Sequence, residues 1–541
     1  MEGKRHSTVL IGWDGATFSV LDPFTRDGTM PFLAQFMAEG VRGTLHSTVH
    51  PVTAAAWPSL MTGVNPGQHG VFDFVKVDRR EDRYTYVLST STDLRAETIW
   101  SIAARQGCRV TSLNFISMFP APDIPGVFVV PGFVPYQYLP LAMRPAGLYS
   151  RIKTIPGFEA RELALDWALE RKALQGLPEA EYESWIKFHM LRERHWFDIV
   201  CMLMREEPCD LTAVLFDGVD KLQHLCYHLV DPQYSERYAS PWARKIRNLC
   251  LEYFRQLDDF LRQIVQLAGA ETRVFIASDH GFTLAEDEVF YANVWLEQHG
   301  YLKWADGVPL DQEARLTMDS HSGADTMFDW PATTAFALTP SSNAIYIRTA
   351  RKSGAGAPAS DYHAFRRILA DALLGFRDGS GRQVVQAVLT REEAFPGEYM
   401  AEAPDLTLIL RDRSFLSVLR ADAPLKPRIA PYGTHHPDGV FLARGQGIPK
   451  GVELPAAPIV DVAATLLYSL GLPIPRQMEG TVILPAFEPS VLDANPVRME
   501  NSSSSSHAAA ADSDSAAVDE GFKKAVMERL IALNYLQRPG G

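Results

Sequence analysis

Four short β-branched runs constrain this chain more than anything else in its sequence. They are "STVLIGWD" (Ser7–Asp14), "CRVTSLNF" (Cys108–Phe115), "DLTAVLFD" (Asp210–Asp217) and "TRVFIASDHG" (Thr272–Gly281). Each is too short for a buried helix and reads as a strand covered on both faces. Helical patterns lie between them. "DLRAETIWSIAARQG" (Asp93–Gly107), for example, opens on a capping Asp, carries an amphipathic stripe and stops at Gly. Strands separated by helices predict an α/β fold with a central, mostly parallel sheet flanked by helices.

That rhythm divides the chain. Residues 1–119, 206–284 and 336–490 read as core, the last part adding a sub-domain with strands at Asn343–Arg348 and Asp405–Leu410. The span 120–205, rich in Pro, Tyr and helical charge patterns, reads as an inserted cap, and 285–335 as a second insertion. Residues 491–518 contain "NSSSSSHAAAADSDSAA" and are expected to be a disordered linker. In 519–541, Phe522, Val526, Leu530 and Leu533 recur at helical spacing. This amphipathic helix is expected to dock on its own protein or to join a homodimer.

Residues of metal-ligand type cluster at the strand ends. Asp14 closes the first run, and Asp279 and His280 follow the fourth. In "DGVDKLQHLCYH", Asp220 and His224 lie four apart and share one face if the segment is helical, with Asp217 and His228 close enough to leave the choice open. His435 and His436 precede another apolar run. Each signal alone is ordinary. Together Asp14, Asp220, His224, Asp279, His280 and His435 offer six nitrogen and oxygen donors, enough for two divalent ions with three protein ligands each. A structural zinc site would want four ligands, usually with Cys. The five cysteines (Cys108, Cys201, Cys209, Cys226, Cys250) are odd in number, unpaired in pattern and absent from these clusters.

The formal net charge of -13 argues against a nucleic-acid polymer as partner. No run of about 18 apolar residues points to membrane insertion, and no signal-peptide pattern follows the basic start, so a cytoplasmic enzyme is the expectation. A small anionic substrate stays compatible with the acidic chain if local cations reverse the field.

The stretch "PVTAAAWPSLMTG" (Pro51–Gly63) holds three hydroxyls, Thr53, Ser59 and Thr62, in a run that is neither a good strand nor a plain helix. By itself it leaves open which hydroxyl, if any, is a nucleophile.

The order of these motifs is what carries a resemblance: Asp, a hydroxyl stretch ending in Thr-Gly, Asp-xxx-His, Ser-Asp-His-Gly, then Gly-x-His. Over roughly Val9 to Gly480 the chain resembles the alkaline phosphatase superfamily, and within it the type I phosphodiesterase/nucleotide pyrophosphatase family. The resemblance implies an alkaline-phosphatase-like sandwich and a phosphoric ester hydrolase. It makes Thr53, nine positions before Thr62, the implied nucleophile, with Ser59, Thr62 and His69 structural. It assigns Asp220, His224 and His435 to one ion, and Asp14, Asp279, His280 and the Thr53 oxygen to the other. His435 is preferred to His436 because it follows the pair Gly433-Thr434. Zinc suits this donor set best, with manganese or iron as alternatives. One departure stands at Ala56, where nucleotide pyrophosphatases usually carry Asn.

The expected activity is therefore a phosphodiesterase acting on a small phosphoester through a phospho-threonine intermediate. The alternatives are a phosphomonoesterase of the same superfamily or a non-catalytic, metal-stabilised binding protein. Trp57 could stack on an aromatic leaving group, although packing against the sheet is the expected role.

Overall fold

The computed structural model describes residues 7–80, 83–163, 177–285, 287–308, 310, 327–349 and 359–500. The C-terminal amphipathic helix expected at 519–541, and the linker from 501 onward, lie outside the described residues.

All four β-branched runs form strands, because their apolar side chains are buried on both faces of one sheet. In chain order the strands used below are β1 (Thr8–Trp13), β2 (Val41–His46), β3 (Val110–Leu113), β4 (Val127–Val130), β5 (Leu211–Phe216), β6 (Arg273–Ala277), β7 (Gly281–Ala285), β8 (Tyr432–His436), β9 (Asp438–Arg444), β10 (Val452–Glu453) and β11 (Ala457–Pro458). The central sheet runs β10-β2-β9-β6-β1-β5-β3-β4, with β11 also paired to β2. Its pairs are parallel except those of β9 with β2 and β6. The fold is thus α/β with a mostly parallel sheet, as the sequence predicts. The strands Asn343–Arg348 and Asp405–Leu410 belong, over Ala344–Ile347 and Leu406–Leu410, to a separate four-stranded antiparallel sheet.

Helices α1 (Thr53–Thr62), α2 (Ile99–Arg105), α3 (Tyr182–Glu206), α4 (Gly218–Val230) and α5 (Pro241–Ala268) cover the sheet or carry site residues. Two elements within the span read as a cap behave as core. Strand β4 pairs with β3 at the sheet edge, and α3 packs on α5 and β5. Its amphipathic charge pattern is what made α3 resemble a surface insertion; its apolar face, including Trp185, Ile186, Ile199 and Val200, is buried. Residues 491–500, read as the start of the linker, include hydrogen bonds of Ile474 with Arg498 and Glu500, and an ion pair of Arg105 with Glu500.

The helix expected from Asp93 starts later, at Ile99, with the Thr98 hydroxyl accepting from the Ser101 N–H at 3.4 Å. Asp93 caps a shorter turn instead: its carboxylate accepts the Thr90 N–H at 2.8 Å, closing a capping box over Ser91–Asp93.

The stretch 53–62 is a helix with no polar face to betray it, since all ten residues are buried. Its three alanines favour the helix, and Gly63 ends it in the left-handed conformation (φ 70°), donating its N–H to the Ser59 carbonyl at 2.9 Å. Thr62 donates to the Pro58 carbonyl at 2.7 Å. His69 accepts the Val71 N–H at Nδ1 (3.2 Å), so Nε2 carries the proton donated to Ser59 Oγ at 2.9 Å. Among the described residues no helix is long and apolar enough to cross a membrane.

Candidate metal centre and active site

Strands β6, β1 and β5 are parallel neighbours, so the residues that follow them emerge on one side of the sheet. Asp14 follows β1, Asp279 and His280 follow β6, and Asp220 sits in the first turn of α4, directly after β5. Strand β8 pairs antiparallel with β7 and sets His435 opposite Phe282. His435 therefore lies within a strand, in a pairing that no local pattern signals.

The cluster is almost wholly desolvated: Asp14, Thr53, Asp220, Asp279, His280 and His435 are all at most 1% exposed. Thr53 Oγ1 lies 3.2 Å from His280 Nε2, which in turn lies 3.3 Å from Asp279 Oδ2 and 3.6 Å from Asp14 Oδ1. Asp220 Oδ1 lies 3.2 Å from His224 Nε2 and 3.2 Å from His435 Nε2. Atoms of Asp14, Asp279 and His280 converge within 4.8 Å of one another, as do those of Asp220, His280 and His435. His280 is common to both groups. His224 adjoins the second group through its two 3.2 Å contacts, to Asp220 and His435.

The backbone sets the tautomers. His224 Nδ1 faces the Gly433 carbonyl at 2.8 Å, His435 Nδ1 the Pro51 carbonyl at 2.8 Å, and His280 Nδ1 the Gly281 carbonyl at 3.0 Å. A carbonyl only accepts, so each Nδ1 carries the proton and each Nε2 presents a lone pair to the cluster. His224 Nε2 and His435 Nε2 then face each other at 3.2 Å, acceptor against acceptor. Asp14 Oδ1, Asp220 Oδ1 and Asp279 Oδ2 are buried with no hydrogen-bond partner. Converging lone pairs and orphaned carboxylate oxygens cost several kcal/mol unless a cation fills the space between them, on the order of the ~1–3 kcal/mol per buried unsatisfied group. The donor set fits divalent ions, and its lack of thiolate fits a site meant for chemistry.

Electrostatics follow. Burial, then the Asp279 and Asp220 charges, push the Asp14 carboxyl well above the usual range. Burial, with a contribution from Asp220, raises Asp279 to about 7. Burial also pushes Asp220 upward, but Lys221 and His224 outweigh it and hold that carboxyl well below the usual range. Burial holds His280 and His435 below the ordinary imidazole value.

Several contributors escape a reading by motif. Lys221 is buried and pairs with Asp220 Oδ2 at 2.8 Å; its only signal was adjacency to Asp220. Trp57, fully buried, donates from Nε1 to Asp14 Oδ2 at 3.2 Å and packs edge-on against Phe115, so it is not placed to stack on a leaving group. The Gly15 N–H donates to Asp279 Oδ1 at 3.1 Å, from a backbone with φ 68° that favours glycine. His50 is buried beside Phe415 with neither ring nitrogen hydrogen-bonded.

The residues that left the choice open fall outside the cluster. Asp217 pairs with the buried Arg192 and accepts from Asn114 at 3.1 Å. His228 packs edge-on against Tyr238, and His436 is half-buried, accepting the Asp438 N–H at 3.1 Å.

The glycine of the Gly-Thr-His motif has a packing reason. A methyl on Gly433 would overlap the Gln223 carbonyl of α4, the helix that carries Asp220 and His224. Gly433→Ala is expected to cost about 1–3 kcal/mol of stability. It should also loosen ion retention, because α4 must move away from β8. Thermal denaturation with and without added metal, and metal content after dialysis, check both effects.

The overall fold is similar to that of phosphonoacetate hydrolase from Sinorhizobium meliloti 1021, solved in complex with phosphonoformate. The TM-score is 0.51 at 17% identity, over 87% of this chain and 97% of that one. Murine ectonucleotide pyrophosphatase/phosphodiesterase 5, as an inactive variant in complex with AMP, aligns with TM-score 0.48 at 14% identity, over 86% of this chain and 95% of that one. No curated protein matches the sequence. The family described as type I phosphodiesterase / nucleotide pyrophosphatase matches residues 8–438, and the chain belongs to this metal-dependent family of hydrolases that act on phosphoester bonds.

Proposed function

We propose that the protein is a phosphodiesterase in which Thr53 attacks phosphorus and forms a phospho-threonine intermediate. The observation that carries this is the position of the Thr53 hydroxyl, at the first turn of α1 and 3.2 Å from His280 Nε2, inside a cluster of three carboxylates and three imidazoles. Asp14, Asp279 and His280 would hold one divalent ion beside the Thr53 oxygen, and Asp220, His224 and His435 a second, zinc being the best match to the donors. Such ions favour the ionised form of an adjacent hydroxyl and neutralise charge on a phosphoryl group.

The chain's own groups supply the rest. Thr53 is the nucleophile, and the positive end of α1 favours negative charge at its oxygen. In the ion-free protein the Thr53 hydroxyl donates to His280 Nε2, which the Gly281 carbonyl keeps in the accepting tautomer; with an ion bound that lone pair would serve the ion, and the hydroxyl proton would be lost as the oxygen joins it. The 3.2 Å Thr53–His280 separation and the lack of solvent exposure hold the nucleophile in place and dry.

The test is parallel hydrolysis of methyl p-nitrophenyl phosphate and p-nitrophenyl phosphate by protein stripped with chelator and then given zinc or manganese. Metal-dependent preference for the diester is expected; preference for the monoester would make the protein a phosphatase.

Ion uptake should depend on pH. In the ion-free protein Asp279 is protonated below about 7, and Asp14 is shifted in the same direction. Binding must displace that proton, so affinity is expected to fall about tenfold per pH unit as pH drops below 7. Burial lowers His280 and His435 from the ordinary imidazole value, and protonating either would weaken binding in the same direction, so the sign stands. Competition with a chelating dye between pH 5.5 and 8, ~2.5 units spanning the Asp279 transition, measures the slope. A flat profile would mean that Asp279 is not a ligand.

A further inference from the structure

Beside the cluster lies a cavity of about 50 Å3, whose walls include Ala54, Phe74, Leu88, Phe119 and Phe133. Its wall holds neighbours of the reactive groups rather than those groups themselves. Ala54 follows Thr53 on α1, and Lys221, paired with Asp220 at 2.8 Å, holds its ammonium 5.7 Å from the centre of the Phe133 ring.

Charge and size limit what this cavity can take. Among the described residues, Asp73 is the lone charged group in its wall, and it is 2% exposed. Its Oδ2 accepts from Thr339 at 2.6 Å, and its Oδ1 from Ser341 and from the Phe74 N–H, each at 2.7 Å. With those bonds made, the wall offers no cation to a second phosphate or a carboxylate, and burying one there would be costly. The Phe74 and Phe133 rings stand 6.0 Å apart at 30°. Rings packed directly on each other lie about 4.5–7 Å apart, so these two leave no space for a third between them. The 50 Å3 volume is also about a third of the ~150 Å3 cavity that accommodates benzene.

We propose that this cavity receives the uncharged organic arm of the substrate, and that the arm is a short alkyl group of about one to three carbons rather than a nucleobase, an aryl ring or a charged group. The proposal rests on the phosphoesterase reading above and narrows its substrate class to small alkyl phosphoesters or phosphonates. A largely apolar wall, whose one carboxyl is already engaged by Thr339, Ser341 and the Phe74 N–H, orients such an arm mainly by contact and discriminates by volume.

The test uses the full chain loaded with zinc, and calorimetric binding of methyl-, ethyl-, propyl- and phenylphosphonate. Affinity is expected to rise about fourfold for each added methylene up to propyl. It should then fall at least about tenfold for phenyl, which must displace a wall. Phe133→Ala opens that wall and should raise phenyl relative to propyl at least about tenfold. Leu88→Ala, at another residue of the wall, should do the same if the Phe133 variant does not fold. A flat series, or phenyl binding as tightly as propyl in the natural protein, overturns the assignment.

Hydrolysis of methyl p-nitrophenyl phosphate, measured on the same sample, separates the two readings. Turnover with a flat binding series overturns the cavity assignment alone. A size step without turnover overturns the hydrolytic reading and supports the cavity.

Discussion

Thr53→Ala is expected to remove turnover by at least about a thousandfold while the protein keeps its full complement of ions. The two readouts separate because Thr53 offers one hydroxyl, whereas the proposed ions would rest on three carboxylates and three imidazoles that the substitution leaves alone. The fold should survive as well. Thr53 is the first residue of α1, its hydroxyl caps nothing, and alanine is a better helix former. Thr53→Ser restores a hydroxyl at the same place and should recover most of the loss. If the alanine variant retains activity within tenfold of the natural protein, on the order of a positioning effect rather than a nucleophile's, Thr53 is not the nucleophile. Ser59 and Thr62 would not replace it, since their hydroxyls are bonded to His69 and to the Pro58 carbonyl.

The second large effect is expected at His280. His280 Nε2 would ligate the ion beside Thr53, so His280→Ala should release that ion, whereas His224→Ala should release the other. Substituting an outer partner of a metal ligand typically costs about 10–100-fold in affinity, and losing the ligand itself must cost more. The ion it would hold is the one beside the Thr53 oxygen, 3.2 Å from His280 Nε2, so activity should stay low even with metal in excess. Metal counting on dialysed protein, paired with turnover at rising zinc, reads both. Retention of two ions by His280→Ala would show that His280 is not a ligand.

Much of this was legible in the sequence. The four β-branched runs declared themselves as strands because burial on both faces leaves an unbroken apolar signature. The ordered motifs nominated Asp14, Asp220, His224, Asp279, His280 and His435, and those side chains converge. Local competition misled the reading elsewhere. Asp93 looked like a helix cap, yet its carboxylate served the nearer Thr90 N–H, and the helix waited for Thr98. Helix α3 looked like part of a cap because charged residues recur along it, although 12 of its 25 residues are buried, Arg192 and Glu193 among them. Helix α1 had no period to read, since it is buried all round.

The sequence by itself determined which residue types follow which strands, because covering a short apolar run on both faces admits few arrangements, and a polar residue after such a run must lie at the sheet's rim. Tertiary structure alone decided that β6, β1 and β5 are neighbours, although their residues lie far apart in the chain. It also decided which imidazole nitrogen faces the cluster, through the carbonyls of Gly433, Pro51 and Gly281. Those carbonyls come from loops and strands whose approach depends on the whole packing, as at Gly433 against Gln223. The shared position of His280, the Trp57 bond to Asp14 and the small, largely apolar cavity beside Ala54 have the same origin. Each is a distance between side chains that no local pattern encodes, set by how closely packed layers interlock.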